Sequence, residues 1–209
     1  MPQNPLRHFL CIRIGIMIMT KNDLRAVYRE KRTALSHTDV EELSMVMAQR
    51  VLNEINTSKQ HIHVFSTIKK FNEPDTSFLA KQLMANGHFV YTSVIEKQSM
   101  KFNNVHLSHD TQFESDPWGI PVPVNPVFVG DDTKFDVILV PLLCCDIRGN
   151  RVGYGKGFYD GFLKFQPDAL KMGICFFEPV TEIDDVAPHD VRINTLITPD
   201  KTFYFDRAT

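Results

Sequence analysis

Cysteine is scarce in this chain and shows no bridging pattern. The four cysteines, Cys11, Cys144, Cys145 and Cys175, include no Cys-x-x-Cys pair. Cys144 and Cys145 are neighbours after an apolar run typical of a strand, so their side chains should point to opposite faces, and a bridge between them would strain the backbone. This pattern favours a reduced, intracellular chain over a disulfide-stabilised secreted one.

A long hydrophobic run is also lacking. The apolar stretch from Phe9 to Met19 is too short to cross a bilayer, and Arg13 interrupts it. It has neither an uninterrupted apolar core nor the small-residue cleavage site of a signal peptide. We expect residues 1–18 to be a dispensable N-terminal extension, with translation starting at Met19, and residues 19–209 to form the domain. A targeting segment is the less favoured alternative.

The chain has no excess of basic residues. Its 23 lysines and arginines are balanced by 25 acidic residues, which gives a formal net charge of −2. Proteins that bind a nucleic-acid duplex usually carry a basic excess on one face, so a nucleic-acid partner is not expected. Local basic clusters still allow a small phosphate ligand.

Apolar spacing predicts helices that alternate with strands. Helices are expected at 20–34, from Thr38 to Ile55, at 75–86 and at 157–165, and Thr38-Asp-Val-Glu41 has a capping-box pattern. Strands are expected at 61–66, 88–95, 135–143, 171–177 and 194–198. This alternation predicts a single α/β domain of three layers, in which a mostly parallel, Rossmann-like sheet is covered by helices on both faces.

The middle of the chain, residues 96–132, lacks clear periodicity. It contains the single tryptophan, Trp118, together with several phenylalanines, valines and prolines. Because these apolar residues are unusual in a linker, we expect a set of loops that lies over the sheet.

The most informative segment is a glycine-rich stretch that follows the apolar strand at 135–143. It reads Asp146-Ile-Arg-Gly-Asn-Arg-Val-Gly-Tyr-Gly-Lys-Gly-Phe-Tyr-Asp160. Glycine allows successive backbone amides to turn toward phosphate oxygens, and a following helix presents its positive end. Arg151 and Lys156 would neutralise phosphate charge, while Asp160 would offer an oxygen to Mg²⁺. Ligands of parallel sheets bind beyond the carboxyl ends of the strands, where this loop is expected.

Two common nucleotide motifs do not match this stretch. A P-loop needs Ser or Thr after its lysine, whereas Lys156 is followed by Gly157. The dinucleotide fingerprint also fails, because the third glycine comes one residue early. A tight structural turn is therefore the alternative to a phosphate site. The preceding strand, the two cations and the following aspartate favour the phosphate site.

The segment from Val140 to Asp160 closely resembles the signature of the 5-formyltetrahydrofolate cyclo-ligase family, and the resemblance extends from about Lys21 to Thr198. It implies a single α/β domain that uses ATP and Mg²⁺ to close the 5-formyl group onto N10, which gives 5,10-methenyltetrahydrofolate, ADP and phosphate. In the implied reaction the formyl oxygen attacks the γ-phosphate, N10 adds, and phosphate leaves. The implied protein is a cytoplasmic monomer whose partner is the small-molecule substrate 5-formyltetrahydrofolate, without nucleic-acid or membrane partners.

The resemblance also implies roles for individual residues. Lys21, Lys156 and Tyr159 are implied to be catalytic, whereas Arg29 and Arg32 are expected on a solvated helix face. Contacts to ATP are implied for Lys21, Arg25, Arg151, Gly153, Tyr154, Gly155, Lys156, Gly157, Phe158, Tyr159 and Asp160. Contacts to the folate are implied for Glu73, Met100, Trp118 and Tyr159, and magnesium ligation for Asp160 and Asp190.

Simpler interpretations exist for several of these residues. Glu73 would suit a turn before a helix, Trp118 a core anchor, and Asp190 a loop cap. His61 and His63 alternate on one strand face, but no third ligand lies at suitable spacing for zinc. They are therefore expected to be polar residues at a strand edge.

The chain departs from the family pattern at three places. Phe158 stands where the family usually has tyrosine, Gly119-Ile-Pro-Val-Pro123 lacks an acidic residue, and Asn194 replaces a second late aspartate. None of these departures removes both implied magnesium carboxylates, so activity is expected. Two other functions stay open. One is a non-catalytic folate- or nucleotide-binding protein on the same scaffold, and the other is a sugar-phosphate isomerase-like enzyme on a related α/β fold.

Overall fold

The computed structural model describes residues 19–96, 101–116 and 119–206, so the N-terminal extension and the predicted folate contacts Met100 and Trp118 lie outside the described residues. The helices are α1 (Lys21–Thr33), α2 (His37–Glu54), α3 (Ser77–Ala85) and α4 (Phe158–Lys164). The strands are β1 (His61–His63), β2 (Phe89–Glu96), β3 (Lys101–Leu107), β4 (Phe113–Ser115), β5 (Pro121–Pro123), β6 (Val127–Phe128), β7 (Val137–Pro141), β8 (Cys144–Cys145), β9 (Arg151–Val152), β10 (Leu170–Ile174), β11 (Thr195–Ile197) and β12 (Thr202–Tyr204).

Capping boxes start the first two helices. Thr20 accepts a hydrogen bond from the Asp23 amide, and the Asp23 side chain accepts one from the Thr20 amide. Ser36 and Asp39 form the same pair at the start of α2, so the predicted box at Thr38–Glu41 is wrong. Each box satisfies amides that have no partner within the helix. The two helices therefore begin where the sequence supplies a hydroxyl three residues before a carboxylate.

Eight strands form the main sheet, in the order β12-β11-β10-β7-β1-β2-β3-β6. The pairings among β11, β10, β7, β1 and β2 are parallel. The pairings at the two ends, β12 with β11, β2 with β3, and β3 with β6, are antiparallel. The predicted mostly parallel α/β fold is confirmed, with antiparallel additions at both edges.

Helices cover both faces of this sheet because its central strands are apolar on both sides. On one face, Ile62 and Val137 pack in a cluster with residues of α2 and α3, such as Val51 and Leu83. On the other face, residues of β7 pack with Leu163 of α4. Burying one such side chain stabilises the fold by about 1.5–3 kcal/mol. The three-layer arrangement follows from this two-sided apolar pattern.

The prediction of loops throughout residues 96–132 is wrong. Residues 101–107 form β3, which pairs with β2 over its full length, from Val90 opposite Leu107 to Glu96 opposite Lys101. Two shorter pieces, β4 and β5, form a separate antiparallel pair. Polar residues occupy much of β3, so the apolar alternation that would predict a strand is weak. The segment forms a strand because it pairs with β2.

His61 and His63 are not at a strand edge, because β1 lies between β7 and β2. His63 is fully buried, and burial lowers its pKa to about 3, so the ring is neutral. His61 Nδ1 lies 2.8 Å from the Tyr91 hydroxyl. No cluster of three or more histidine, cysteine or acidic residues suited to a metal occurs among the described residues.

The three described cysteines, Cys144, Cys145 and Cys175, are free and buried. Cys144 and Cys145 pack in different apolar clusters, as the strand alternation predicts. Within the described ranges, no helix combines the length and apolarity needed to cross a bilayer.

Candidate active site

The glycine loop, residues 153–157, connects β9 to α4 and lies beside α1. Gly155 and Gly157 have φ angles of 86° and 71°, in the left-handed region that favours glycine. A Cβ atom on Gly155 would also lie 3.2 Å from the guanidinium carbon of Arg25. The loop therefore needs glycine at position 155 for both its backbone conformation and the close approach of Arg25.

Helix α1 brings two cations to this loop. Arg25 Nε donates a hydrogen bond of 3.0 Å to the Gly153 carbonyl oxygen. Lys21, one turn earlier, forms an ion pair with Asp190. The predicted cations of the N-terminal helix and the predicted glycine loop thus meet in space.

The two predicted magnesium ligands lie side by side. Asp160 Oδ1 accepts hydrogen bonds from Arg151 Nη2 at 2.7 Å and from the Val191 amide at 3.2 Å, and Val191 directly follows Asp190. Asp190 Oδ2 accepts hydrogen bonds from Lys21 Nζ and from the Ala187 amide. Burial raises the pKa of Asp190, but the Lys21 and Ala187 hydrogen bonds and the nearby positive charge outweigh it and lower the pKa overall.

This carboxylate pair fits a hard cation. Among the described residues, no hydrogen bond reaches Asp160 Oδ2 or Asp190 Oδ1, so each carboxylate keeps one oxygen available. Mg²⁺ is commonly held by one or two carboxylates, with phosphate oxygens and water as its other ligands. Arg151 Nη1 is buried without a hydrogen-bond partner in the described part of the chain, which leaves a donor for an incoming anion.

A cleft of about 970 Å³ joins these groups at the carboxyl ends of β1, β2 and β7. It includes every predicted site residue in the described ranges: Lys21, Arg25, Glu73, Arg151, Gly153, Tyr154, Gly155, Lys156, Gly157, Phe158, Tyr159, Asp160 and Asp190. One part of its lining, which we call the charged wall, consists of Lys21, Arg25, Arg151, Lys156, Asp160 and Asp190. Another part, the apolar wall, consists of Ile95, Phe102, Ile120, Val122 and Phe158.

Aromatic contacts organise the apolar wall. The rings of Phe102 and Phe158 stack with centroids 5.4 Å apart, and Tyr159 meets Phe102 edge-on at 5.3 Å. Phenylalanine at position 158 thus packs against β3. Burial raises the pKa of Tyr159 well above its ordinary range, as does the nearby charge of Glu73, so the hydroxyl stays protonated. The wall suits a flat apolar ring with a hydrogen-bond acceptor near Tyr159.

Glu73 is only 2% exposed, yet it lines the cleft. Its Oε1 accepts a hydrogen bond of 2.5 Å from the Tyr154 hydroxyl, and its Oε2 accepts one of 2.6 Å from the Ile68 amide. Burial raises the pKa of Glu73, although these hydrogen bonds and the charge of Arg32 oppose that shift. Glu73 is therefore a buried acid with both oxygens hydrogen-bonded at the cleft, and not only a residue of the turn before α3.

Arg32 was expected on a solvated helix face, but this prediction is wrong because the side chain is buried. It is 2% exposed and donates a hydrogen bond of 2.7 Å to the Tyr154 hydroxyl and one of 2.5 Å to the Leu142 carbonyl oxygen. The sequence signal was present, because Arg32 continues the four-residue spacing of Leu24 and Tyr28, the buried residues of α1. Arg29 is exposed, as expected, but it also lines the cleft.

The other two departures from the family pattern, the segment 119–123 and Asn194, lie in different places relative to the cleft. Ile120 and Val122, in the segment that lacks the acid, line the cleft directly. Asn194 does not line it, and its Oδ1 accepts a hydrogen bond of 2.8 Å from the Lys171 amide. Sequence reasoning missed Ser93, Phe102 and Asp116, which also line the cleft, and no motif marks them.

The fold and the cleft define a three-layer α/β enzyme whose site lies beyond the carboxyl ends of parallel strands. The family model of the 5-formyltetrahydrofolate cyclo-ligases matches residues 17–199. The chain belongs to the 5-formyltetrahydrofolate cyclo-ligase family, and the prediction made from Val140 to Asp160 is confirmed together with the enzyme class.

Known relatives agree with this assignment. The mouse (Mus musculus) 5-formyltetrahydrofolate cyclo-ligase is 27% identical over 197 residues, which span 86% of this chain and 94% of that protein. The Escherichia coli K12 protein of the same name is 28% identical over 185 residues, 84% of this chain and 98% of that protein. The solved structure of the Aquifex aeolicus 5,10-methenyltetrahydrofolate synthetase has a TM-score of 0.73 at 24% identity and covers 91% of this chain and 95% of that one, a likeness of fold.

Proposed function

We propose that this chain converts 5-formyltetrahydrofolate to 5,10-methenyltetrahydrofolate, with ATP and Mg²⁺, and releases ADP and phosphate. The observation that carries this proposal is the meeting of α1, the glycine loop and the acidic pair in one cleft. Lys21 and Asp190, for example, are 169 residues apart in the chain and form an ion pair. Such a convergence of cations, amides and carboxylates suits a nucleotide's phosphates and their metal.

The charged wall is the proposed ATP site. Phosphoryl transfer depends on alignment and charge stabilisation more than on covalent help from the protein. We assign Lys21, Arg25 and Lys156 to the phosphates, with Arg151 Nη1 as a further donor from the floor of the cleft. Lys156 is exposed at the tip of the loop, where it can close over a bound phosphate.

Asp160 and Asp190 are the proposed magnesium ligands, through the oxygens that have no protein donor in the described structure. A bound Mg²⁺ would neutralise charge that develops on the phosphates. Arg151 and Lys21 hold the two carboxylates in place through the opposite oxygens. These ion pairs orient the ligands before any metal arrives.

The apolar wall is the proposed site of the folate ring. Phe102 and Phe158 offer flat apolar surface, and Glu73 and Tyr159 offer polar contacts at its border. Met100 and Trp118 remain predicted contacts. We propose that the formyl oxygen of the substrate takes the γ-phosphoryl group of ATP, N10 then closes the ring, and phosphate leaves. Tyr159, which keeps its proton, would donate a hydrogen bond to the reacting region.

We also propose that the enzyme is a cytoplasmic monomer without nucleic-acid or membrane partners. The balanced charge supports the absence of a nucleic-acid partner, and the three cysteines that the structure describes, which are free and buried, support a reduced intracellular location.

A direct assay tests the proposed reaction. Purified protein is mixed with 5-formyltetrahydrofolate, ATP and Mg²⁺, and the absorbance of the methenyl product is followed over time. Product should form only when all three are present. Binding of 5-formyltetrahydrofolate without any product would instead support the non-catalytic alternative. Product formed at the same rate without ATP would refute the proposed ATP site.

A further inference from the structure

Three neighbouring strands carry a hydrogen-bonded chain of side chains that the proposed function has not used. His63 Nε2 on β1 lies 2.7 Å from the Ser93 hydroxyl on β2. The Ser93 hydroxyl donates a hydrogen bond of 2.9 Å to Asn104 Oδ1 on β3. His63 and Asn104 are buried, whereas Ser93 is half-buried and lines the cleft.

The direction of these hydrogen bonds fixes what Ser93 can offer a ligand. A serine hydroxyl has one proton, and here that proton points to Asn104 Oδ1. The oxygen must therefore accept from His63, whose neutral ring then carries its proton on Nε2. With both contacts made, the Ser93 oxygen has one free lone pair, and its proton is already donated to Asn104. Toward the cleft it can act only as a hydrogen-bond acceptor.

The surroundings of Ser93 indicate which ligand group it meets. Ile95 lies two residues further along β2 and pairs with Phe102, which lies two residues before Asn104 on β3. Residues two apart on a strand face the same side of the sheet, so Ser93 lies next to the apolar wall. An acceptor at this place can contact the edge of a flat ring that packs on Phe102 and Phe158.

We propose that Ser93 is a specificity-determining contact for the folate ring, with its oxygen accepting a hydrogen bond from a pteridine N–H, and that His63 and Asn104 are positioning residues that keep this hydroxyl an acceptor. The inference rests on the proposed function. A reduced pteridine carries several N–H donors on its edges. A donor that enters an apolar cleft loses its water and needs a replacement acceptor.

The contact is tested with Ser93→Ala. The dissociation constant of 5-formyltetrahydrofolate is measured calorimetrically without ATP, and KM is measured for both substrates. We expect folate affinity to fall about tenfold, because the substrate N–H loses its partner in a desolvated place. The KM for ATP should stay unchanged. Wild-type folate affinity in Ser93→Ala would overturn the contact.

The positioning role is tested with two substitutions at His63. In His63→Gln the side-chain amide can still donate to the Ser93 oxygen, whereas His63→Leu removes the donor. His63→Gln should retain folate affinity within about threefold, and His63→Leu should lose about as much as Ser93→Ala. Equal affinities of the two variants would overturn the positioning role. Ser93→Ala decides the contact even if buried His63 does not tolerate leucine.

Measurements on the wild-type protein distinguish a failure of this inference from a failure of the proposed function. A wild-type protein that neither binds nor converts 5-formyltetrahydrofolate would overturn both proposals. A wild-type protein that is active, with Ser93→Ala indistinguishable from it in folate affinity and KM, would overturn only the assignment of Ser93.

Discussion

Tyr154 of the glycine loop donates a hydrogen bond of 2.5 Å to Glu73, a residue 81 positions earlier in the chain. The same hydroxyl accepts a hydrogen bond from Arg32 of α1. A single phenol group therefore joins the first helix, the turn after β1 and the loop after β9. The cleft depends on this junction, because each of the three segments contributes to its lining.

Tyr154→Phe should destabilise the fold by about 1–3 kcal/mol, because it leaves one oxygen of Glu73 and one nitrogen of Arg32 without a partner. The free energy of unfolding is measured by urea denaturation. Tyr204→Phe is a matched control, since the Tyr204 hydroxyl bonds to Glu54 at an exposed position, and its effect should stay within about 0.5 kcal/mol. Equal losses in the two variants would show that the junction contributes no special stability.

The pH dependence of stability should carry a signature of Glu73. Burial raises its pKa in the folded state from the ordinary value of 4.5. The folded state therefore holds this proton more tightly than the unfolded state does, so the contribution of Glu73 to stability is fully present below pH 4.5 and is lost as pH rises through the folded pKa.

Glu73→Gln isolates that contribution. The unfolding free energy of the wild type, minus that of Glu73→Gln, should decrease from pH 4.5 toward neutral pH. Urea denaturation of both proteins across this range measures the difference. A difference that increases with pH would contradict the raised pKa.

Lys156→Ala should slow turnover by at least about tenfold at fixed ATP, since a charge-assisted hydrogen bond contributes about 1.5–3 kcal/mol. Lys164→Ala is the matched control, because Lys164 is exposed on α4 and does not line the cleft. Steady-state kinetics of both variants are compared with the wild type. Unchanged kinetics in Lys156→Ala would remove this lysine from the proposed ATP site.

Asp160→Asn should raise the magnesium concentration required for half-maximal activity, because an amide oxygen is a weaker ligand for a hard cation than a carboxylate. The amide can still accept the Arg151 hydrogen bond, so the fold should persist. Asp168→Asn, at an exposed position outside the cleft, is the control. Identical magnesium titrations for wild type and Asp160→Asn would refute the assignment of this ligand.

Much of the fold was predictable because its causes are local. The two-sided apolar run of β7 predicted a central parallel strand, and the glycines at 155 and 157 predicted a loop with positive φ. The predictions failed at β3, whose pairing depends on β2, and at His63, whose burial depends on the position of β1 between two strands.

The residues of the candidate site also fall into those that the sequence predicts and those that it does not. The segment from Val140 to Asp160 identified the family and half of the charged wall, namely Arg151, Lys156 and Asp160, because those residues are close together in the chain and their chemistry is visible in their spacing. Ser93 was missed because a single strand serine has no distinctive local pattern. Arg32 was placed wrongly because its charge was given more weight than its four-residue spacing with Leu24 and Tyr28.

The sequence alone therefore determined the helices, the glycine loop and the family, each of which depends on residues close together in the chain. Only the tertiary structure decided which polar groups meet. The order β7-β1-β2-β3 brings His63, Ser93 and Asn104 into one hydrogen-bonded chain, and the docking of α1 brings Arg32 to Tyr154. The physical reason is that buried polar groups require partners, and strand order and helix packing determine which partners lie within reach.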